Sequence, residues 1–333
     1  MSLKILIVGF GSIARRHIRN LKLLHPEIQI GVWRQSSKEA DLGDISPLVS
    51  QVFFNVTDSL QWQPQAALIT NPSSLHIETA LPLAKQGIHL LIEKPLSHSL
   101  EKIDELQHIS RQKSVVIAVA YNFRFYKPFQ IIKQALTEQR IGRPLSFRAE
   151  VGYYLPAWRP QSDYRKNVSA LKKLGGGVLL ELSHELDYTR WLMGEVESVL
   201  SQTDRLSDLE IDVEDTAEII LKFKSGGLGA LHLDMLDQAR IRQCRIVGSE
   251  GTLVWEGLQH SVTLFSSAKK DWTTLQPPGE IDLNDMYLQE LNHFLQNVEG
   301  RGEPLVSLEE AKRVLEIVLA AKQSSREGRI IPL

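Results

Sequence analysis

Lys4-Ile5-Leu6-Ile7-Val8-Gly9-Phe10-Gly11-Ser12-Ile13-Ala14 is the stretch whose reading decides the fold. Lys4–Val8 is an apolar run that reads as a strand of a sheet covered on both faces. Ser12–Leu24 follows with Ile13, His17, Leu21 and Leu24 at helical spacing. The turn between them has the pattern Gly-x-Gly-x-x-Ala, and each small residue has a mechanical reason. Gly9 permits a tight turn, Gly11 lets a pyrophosphate approach the backbone, and Ala14 lets the helix pack closely on the strand. The helix N-terminus then faces the phosphates. Glycines in a short turn are a weak signal by themselves. A strand before them and a helix after them make this a dinucleotide-binding turn, with Gly9, Phe10, Gly11, Ser12 and Ile13 as cofactor contacts.

Outward from this turn, strands and helices alternate. Strands are expected at Ile28–Trp33, Val52–Phe54, Ala66–Thr70, His89–Ile92 and Val115–Ala120, with helices at Ser74–Gln86 and Leu100–Lys113. Such alternation predicts a doubly wound parallel sheet. The pattern then changes. After a helix near Phe129–Gln139 and a strand at Leu145–Val151, Gly175–Gly177 introduces a helix ending near Met193. Strands at Thr216–Phe223, Leu228–Leu236, Arg242–Val247, Thr252–Trp255 and Ser261–Phe265 follow one another, with Gly226-Gly227 and Glu250-Gly251 as turns. Helices at Asp285–Val298 and Leu308–Glu327 close the chain, the last with a capping box of Ser307 and Glu310. The expected fold is α/β: a Rossmann domain over residues 1–121, then an α/β domain over residues 122–333 with an open, mostly antiparallel sheet.

Composition narrows the function classes. A chain of 333 residues exceeds one ordinary core. A net charge of −2 without a basic run argues against a nucleic-acid partner. Cys244 is the single cysteine, which excludes an intrachain disulfide and a cysteine-rich metal framework. No His/Asp/Glu group has close ligand spacing, so no metal is expected. Without a signal-peptide layout or an apolar stretch of about 20 residues, no membrane association and a cytoplasmic location are expected.

The end of the second strand bears on cofactor choice. An acidic residue there binds the ribose 2′-hydroxyl of NAD. This chain instead has Trp33-Arg34-Gln35-Ser36-Ser37-Lys38, with no carboxylate before Glu39. Arg34 and Lys38 can pair with a 2′-phosphate, Ser36 can donate a hydrogen bond to it, and Trp33 or Arg34 can cover the adenine. NADP is therefore expected ahead of NAD, although the same residues also read as a solvated polar loop.

Further motifs carry a family resemblance. Asn71-Pro72-Ser73-Ser74-Leu75-His76, Glu93-Lys94-Pro95, Tyr121-Asn122-Phe123-Arg124-Phe125, Gly175-Gly176-Gly177, His184-Glu185-Leu186-Asp187, Val213-Glu214-Asp215-Thr216-Ala217 and Gly248-Ser249-Glu250-Gly251 occur in this order. Together they resemble the Gfo/Idh/MocA oxidoreductases, the glucose–fructose oxidoreductase and inositol dehydrogenase family. The resemblance implies hydride transfer between NAD(P) and a carbohydrate hydroxyl or its ketone. It implies cofactor contacts at Asn71, Pro72, His76, Glu93, Lys94 and Asn122, and catalytic roles for Lys94 and His184. A partly desolvated lysine near a nicotinamide cation has its ammonium disfavoured and can relay the hydroxyl proton. His184 shares a helical face with Leu180, Asp187 and Trp191, so a packed core histidine is an equally local reading.

One departure matters. The common pattern has an aspartate four residues before the histidine, where this chain has Leu180. Glu181 lies three residues before and is the candidate substitute, since a helical i,i+3 pair can face one site. Substrate contacts are expected from Lys94, His184, Arg124, Tyr153, Trp158 and Arg159. Aromatic faces suit a sugar ring and arginine suits carboxylate or phosphate, which favours an acidic or nucleotide-linked sugar. Two alternatives share the frame: a dihydrodiol-dehydrogenase- or biliverdin-reductase-like reductase, and a non-catalytic dinucleotide sensor. A homodimer or homotetramer is expected through the second sheet, where Ala217, Ile219 and Leu221 lie on one face and Ile220 on the other.

Overall fold

The computed structural model describes residues 3–34 and 42–333. In chain order the elements are β1 (Lys4–Val8), α1 (Ser12–Leu24), β2 (Gln29–Trp33), β3 (Gln51–Phe53), α2 (Val56–Gln61), β4 (Ala66–Ile69), α3 (His76–Lys85), β5 (His89–Glu93), α4 (Ile103–Lys113) and β6 (Ile117–Ala120). Then come α5 (Lys127–Thr137), β7 (Pro144–Gly152), α6 (Leu155–Trp158), α7 (Val178–Glu181), α8 (Ser183–Met193), β8 (Val196–Asp204), β9 (Thr216–Phe223) and β10 (Leu228–Asp234). The chain continues through β11 (Ile241–Gly248), β12 (Gly251–Glu256), β13 (Ser261–Ser266), β14 (Asp271–Gln276), α9 (Asn284–Val298), α10 (Leu308–Glu327) and β15 (Ile331–Pro332).

The first packing unit is Met1–Asn122 with Asn284–Lys312, and the second is Phe123–Leu283 with Arg313–Leu333. The units first part after Asn122, against the expected division after residue 121. α9 packs on α1 and belongs to the first unit, so each packing unit is built from two separate stretches of the chain. The Asn20 and Asn284 side-chain amides bond each other across that contact, a pairing of residues 264 apart that local pattern cannot reveal.

The first unit contains a parallel sheet of order β3-β2-β1-β4-β5-β6. Ile5, Leu6, Ile7, Ala66, Ala67, Leu68, Ile69, Leu90 and Ile92 are all fully buried, which explains why these strands lack polar alternation. Strand order reverses at β1/β4, where their carboxyl ends part and an open α/β sheet has its ligand crevice. The expected α/β Rossmann architecture is observed.

The second unit has a sheet of order β14-β13-β12-β11-β7-β10-β9-β8-β15, in which only the β7–β10 pairing among the described strands is parallel. Here the period-2 pattern is plain. In β9, Ala217, Ile219, Leu221 and Phe223 are buried, while Glu218, Ile220 and Lys222 are exposed. The strands Val196–Asp204 and Asp271–Gln276 extend the expected set. The expected single helix from the triple glycine to Met193 is interrupted at Leu182, whose φ of −98° and ψ of 27° separate α7 from α8.

Candidate active site

In the first unit the site begins with the main chain. Gly9 has φ +93°, and a β-carbon there would lie 2.8 Å from the Asn71 backbone nitrogen, so a side chain is strained and crowded at once. Gly11 differs. Its backbone is ordinary, with φ −85°. A β-carbon on it would meet no chain atom within 4 Å. The space it leaves lies over the N-terminus of α1, which has neither a capping side chain nor an acidic residue in its first turn. Open amides, the positive end of a helix and room for a close approach fit a dinucleotide pyrophosphate.

Phe10 is the side-chain floor beside this turn. The Arg15 guanidinium lies 4.4 Å and that of Arg34 5.2 Å from its ring centroid. Arg15 is also held by the Leu42 carbonyl at 3.0 Å. Arg34 is half-buried, and among the described residues its Nη1 is buried with no hydrogen-bond partner. Trp33 ends β2 beside the turn, and its carbonyl accepts from the Gly9 amide at 2.9 Å. Ser36 and Lys38, the other expected 2′-phosphate contacts, lie outside the described residues.

The β4 and β5 ends supply the rest of the crevice. Asn71 donates from Nδ2 to the Thr79 hydroxyl at 2.9 Å, while its Oδ1 is buried and has no partner among the described residues. Pro72 stands beside it, half-buried. His76, expected among the cofactor contacts, has another arrangement. It is 1% exposed, with Nδ1 3.0 Å from the Pro95 carbonyl and Nε2 2.9 Å from the Asn71 carbonyl. Burial holds its pKa below the usual histidine value, so the neutral ring donates to one carbonyl at a time. His76 therefore ties the β4 loop to the β5 loop and offers no nitrogen to a ligand. That correction has a simple cause: the partners are backbone carbonyls, which residue types do not announce.

Glu93 and Lys94 follow β5, both half-buried. Glu93 Oε1 accepts from His17 Nε2 at 2.8 Å, and its Oε2 lies 3.3 Å from the Lys94 amide nitrogen. Tyr287 of α9 joins this group. Burial holds its hydroxyl above the ordinary value, Glu93 adds to the effect, and Arg16 and a hydrogen bond from Asn122 oppose it. The Arg16 guanidinium lies 4.3 Å from the Tyr287 ring centroid. Sequence reading placed His17 only on an apolar helix face and missed Tyr287, because nothing in local spacing connects either to Glu93.

The second unit carries the other expected residues. His184 is half-buried near the start of α8, its ring 4.8 Å from that of Phe123. Glu181 ends α7, so the two do not form an i,i+3 pair on one continuous helix, nor does Leu180 share a helix with Asp187 and Trp191. The leucine between Glu181 and Ser183 leaves the helical region, and no proline or glycine marks that break.

Arg124, expected at the substrate, is 2% exposed and paired with Asp187 at 0%. Its Nη2 donates to Oδ1 at 2.7 Å and its Nε to Oδ2 at 3.1 Å. Trp191 lies 5.6 Å from the guanidinium. This is a fork-to-carboxylate pair inside the protein, and its charge is already answered there. A second, partly buried pair involves the residue after His184: Arg242 Nη2, on a side chain 26% exposed, is 2.6 Å from Oε1 of the fully buried Glu185. Farther along, Tyr153 and Trp158 form a stacked pair, with centroids 6.2 Å apart and planes inclined by 21°. Trp158 Nε1 donates to the Tyr153 carbonyl at 2.7 Å, which fixes the indole. The Arg240 guanidinium lies 4.9 Å from the Tyr153 ring centroid, and Arg159 is exposed.

Two family descriptions match the chain. "Oxidoreductase family, NAD-binding Rossmann fold" covers residues 3–121, and "Oxidoreductase family, C-terminal alpha/beta domain" covers residues 133–333. The chain belongs to the Gfo/Idh/MocA oxidoreductase family. It is similar to myo-inositol 2-dehydrogenase of Thermotoga maritima, 28% identical, over 99% of this chain and 98% of that one. It is 25% identical to scyllo-inositol 2-dehydrogenase (NAD(+)) of Bacillus subtilis, over 80% of this chain and 77% of that one. Its fold is that of the WlbA dehydrogenase from Bordetella pertussis, solved in complex with NADH and UDP-GlcNAcA. The TM-score is 0.84 at 23% identity, covering 100% of this chain and 99% of that chain. As a member of this family the protein is an oxidoreductase with a nicotinamide-dinucleotide-binding Rossmann unit, as expected from its turn and motifs. Among the described residues no helix is long and apolar enough to cross a membrane, and no group of three or more His, Cys, Asp or Glu side chains could hold a metal.

Proposed function

We propose that this protein oxidises a sugar or sugar-derivative hydroxyl, or reduces the corresponding ketone, with NADP preferred over NAD and with an acidic or nucleotide-linked sugar as substrate. The observation that carries this reading is the open, uncapped helix N-terminus over Gly11 in the same unit as Lys94 at the end of β5. Gly9, Phe10, Gly11, Ser12 and Ile13 would hold the phosphates. Trp33, Arg34 and Ser36 would take the adenosine end, with Asn71, Pro72, Glu93 and Asn122 lining the remainder. A bound nicotinamide dinucleotide supplies a two-electron hydride acceptor or donor. In oxidation Lys94, in its amine form, takes the proton of the substrate hydroxyl as the carbon loses hydride. In reduction it returns that proton. His184 is the candidate for the second catalytic group of the motif, and Glu181 remains the candidate for its acidic place.

Arg34 supports the NADP preference, since its buried Nη1 has no hydrogen-bond partner among the described residues and a phosphate would accept from it. The cofactors named for the scyllo-inositol 2-dehydrogenase and the WlbA dehydrogenase above are NAD(+) and NADH, and an NADP preference would set this chain apart from those two. The Tyr153–Trp158 stack offers an apolar surface for a sugar ring, with Arg240 and Arg159 near it for an anionic group. The UDP-GlcNAcA bound by the Bordetella pertussis protein is a ligand of that acidic, nucleotide-linked kind.

We also propose a homodimer or homotetramer in which another copy covers the outward sheet face. There Leu200 and Ile220 are direct cross-strand partners, 41% and 46% exposed, with Leu228 at 55% nearby. Apolar side chains grouped on one sheet face mark an association surface. Light scattering at micromolar concentration should give at least twice 37.7 kDa; a stable monomer would contradict it. Function is tested by steady-state turnover of NADP and NAD with a panel of acidic nucleotide sugars, sugar phosphates and inositols. Faster turnover with NADP and an acidic sugar is expected. Tight dinucleotide binding without turnover on any member would favour the sensor reading instead.

A further inference from the structure

The histidine at the heart of α1 has no part in the functions assigned above. His17 is 1% exposed, six residues beyond Gly11 on the helix whose N-terminus faces the phosphates. Its Nε2 lies 2.8 Å from Glu93 Oε1, a contact between residues 76 apart. Its Nδ1 is buried and has no hydrogen-bond partner among the described residues. Among the described residues, the hydrogen bond that orients the ring is that to Glu93. The Glu93 side chain is 14% exposed, and its second oxygen faces the Lys94 amide nitrogen at 3.3 Å. The connection therefore runs from the cofactor helix through one ring and one carboxylate to the backbone of the lysine.

We propose that His17 is a positioning residue for Lys94, holding the Glu93 carboxylate on the α1 side of the strand end. This rests on the reading of Lys94 as the proton carrier. A half-buried carboxylate needs hydrogen-bond donors. With His17 in place, Oε1 is occupied by the ring. Without it, the anion turns toward the remaining cations, of which Lys94 is the next residue in the chain. A carboxylate there favours the ammonium and suppresses the amine needed to accept a proton. Tyr287 and Arg16 flank the group from α9 and α1, and neither is changed in the variants below.

The test reads the amine directly. The rate of acetylation at Lys94 is measured by peptide mass spectrometry on the full chain without substrate, relative to the exposed Lys224 as internal control. His17→Phe should slow Lys94 acetylation about threefold or more, because the released carboxylate favours the unreactive ammonium. Glu93→Gln should accelerate it by a similar factor, since the negative charge is gone. His17→Gln, which restores a donor, should return to within about twofold of the parent protein. Opposite responses in the first two variants are the signature, because simple loosening of the structure accelerates both. Acceleration in both, or no change in either, would overturn the role of His17. Should His17→Phe fail to fold, His17→Leu, which also removes the donor, takes its place, with the same slowing expected and acceleration or no change again overturning the role. The labelling needs neither turnover nor a known substrate, so failure to find a sugar substrate would break the functional reading without deciding this result.

Discussion

Two regions of the molecule hold residues of the same types and use them differently. Around the β1–α1 turn, the chemistry is offered outward. Gly11 leaves space, the helix amides lack a cap, and Arg34 has a buried nitrogen without a partner among the described residues. Around α8, charge is answered internally: Arg124 is closed on Asp187 and Arg242 on Glu185. An arginine in a motif is therefore not evidence of a ligand until its partner is known. The first region has helix amides and an arginine open to a ligand, and the second has arginines that hold the fold.

The sharpest way to break this comparison is Asp187→Ala. It leaves the Arg124 charge buried and uncompensated, and should cost about 3–5 kcal/mol. Thermal or urea unfolding measures it. A loss under about 1 kcal/mol would mean that Arg124 is reached by solvent or ligand after all. Next in size is Gly11→Leu. Since the added atoms enter open space, unfolding should change little, while dinucleotide affinity falls on the order of a hundredfold, about 2.7 kcal/mol. If binding survives, the phosphates lie elsewhere. Arg34→Ala should weaken NADP about tenfold more than NAD in isothermal titration, the size of one charge-assisted contact. Tighter binding of NAD than of NADP by the parent protein would sink the cofactor assignment.

The smallest effect concerns pH. The Asp234 hydrogen bond, opposed by burial and aided by Glu218, raises the His232 pKa from 6.5 to about 9. Because the folded value is the higher one, the contribution is full below the unfolded pKa near 6.5 and is lost as pH rises through about 9. His232 lies partly exposed on the outward sheet face, so solvent screening holds the effect to about 1 kcal/mol or less. The melting temperature of the parent protein should fall more between pH 6.5 and 9.5 than that of His232→Gln, over the window set by the two pKa values. Parallel curves would show that the pair contributes nothing.

What could be read from residue order follows the same division. The strands of the first unit are local apolar runs, and the Gly9–Ala14 turn carries its own punctuation, so both were legible. So was the last helix, where Ser307 Oγ accepts from the Glu310 amide at 3.2 Å as the capping box requires. Roles that depend on a distant partner were not. Arg124 and Asp187 are 63 residues apart, His17 and Glu93 76, and Asn20 and Asn284 264, and no periodicity links such pairs. The break between Glu181 and His184 was hidden for another reason: Leu182 is a good helix former held outside helical geometry by its surroundings.

The central claim is that Lys94 carries the proton while the turn at Gly9 and Gly11 holds the cofactor. It is tested most directly by Lys94→Ala, measured once for turnover and once for dinucleotide affinity. A proton carrier acts in the transition state, so turnover with the best sugar of the panel should fall on the order of a hundredfold or more. The dissociation constant for the dinucleotide should stay within about threefold of the parent value, because the account places the phosphates on the main chain of α1. Turnover near the parent rate, or a collapse of dinucleotide binding in step with activity, would contradict the account.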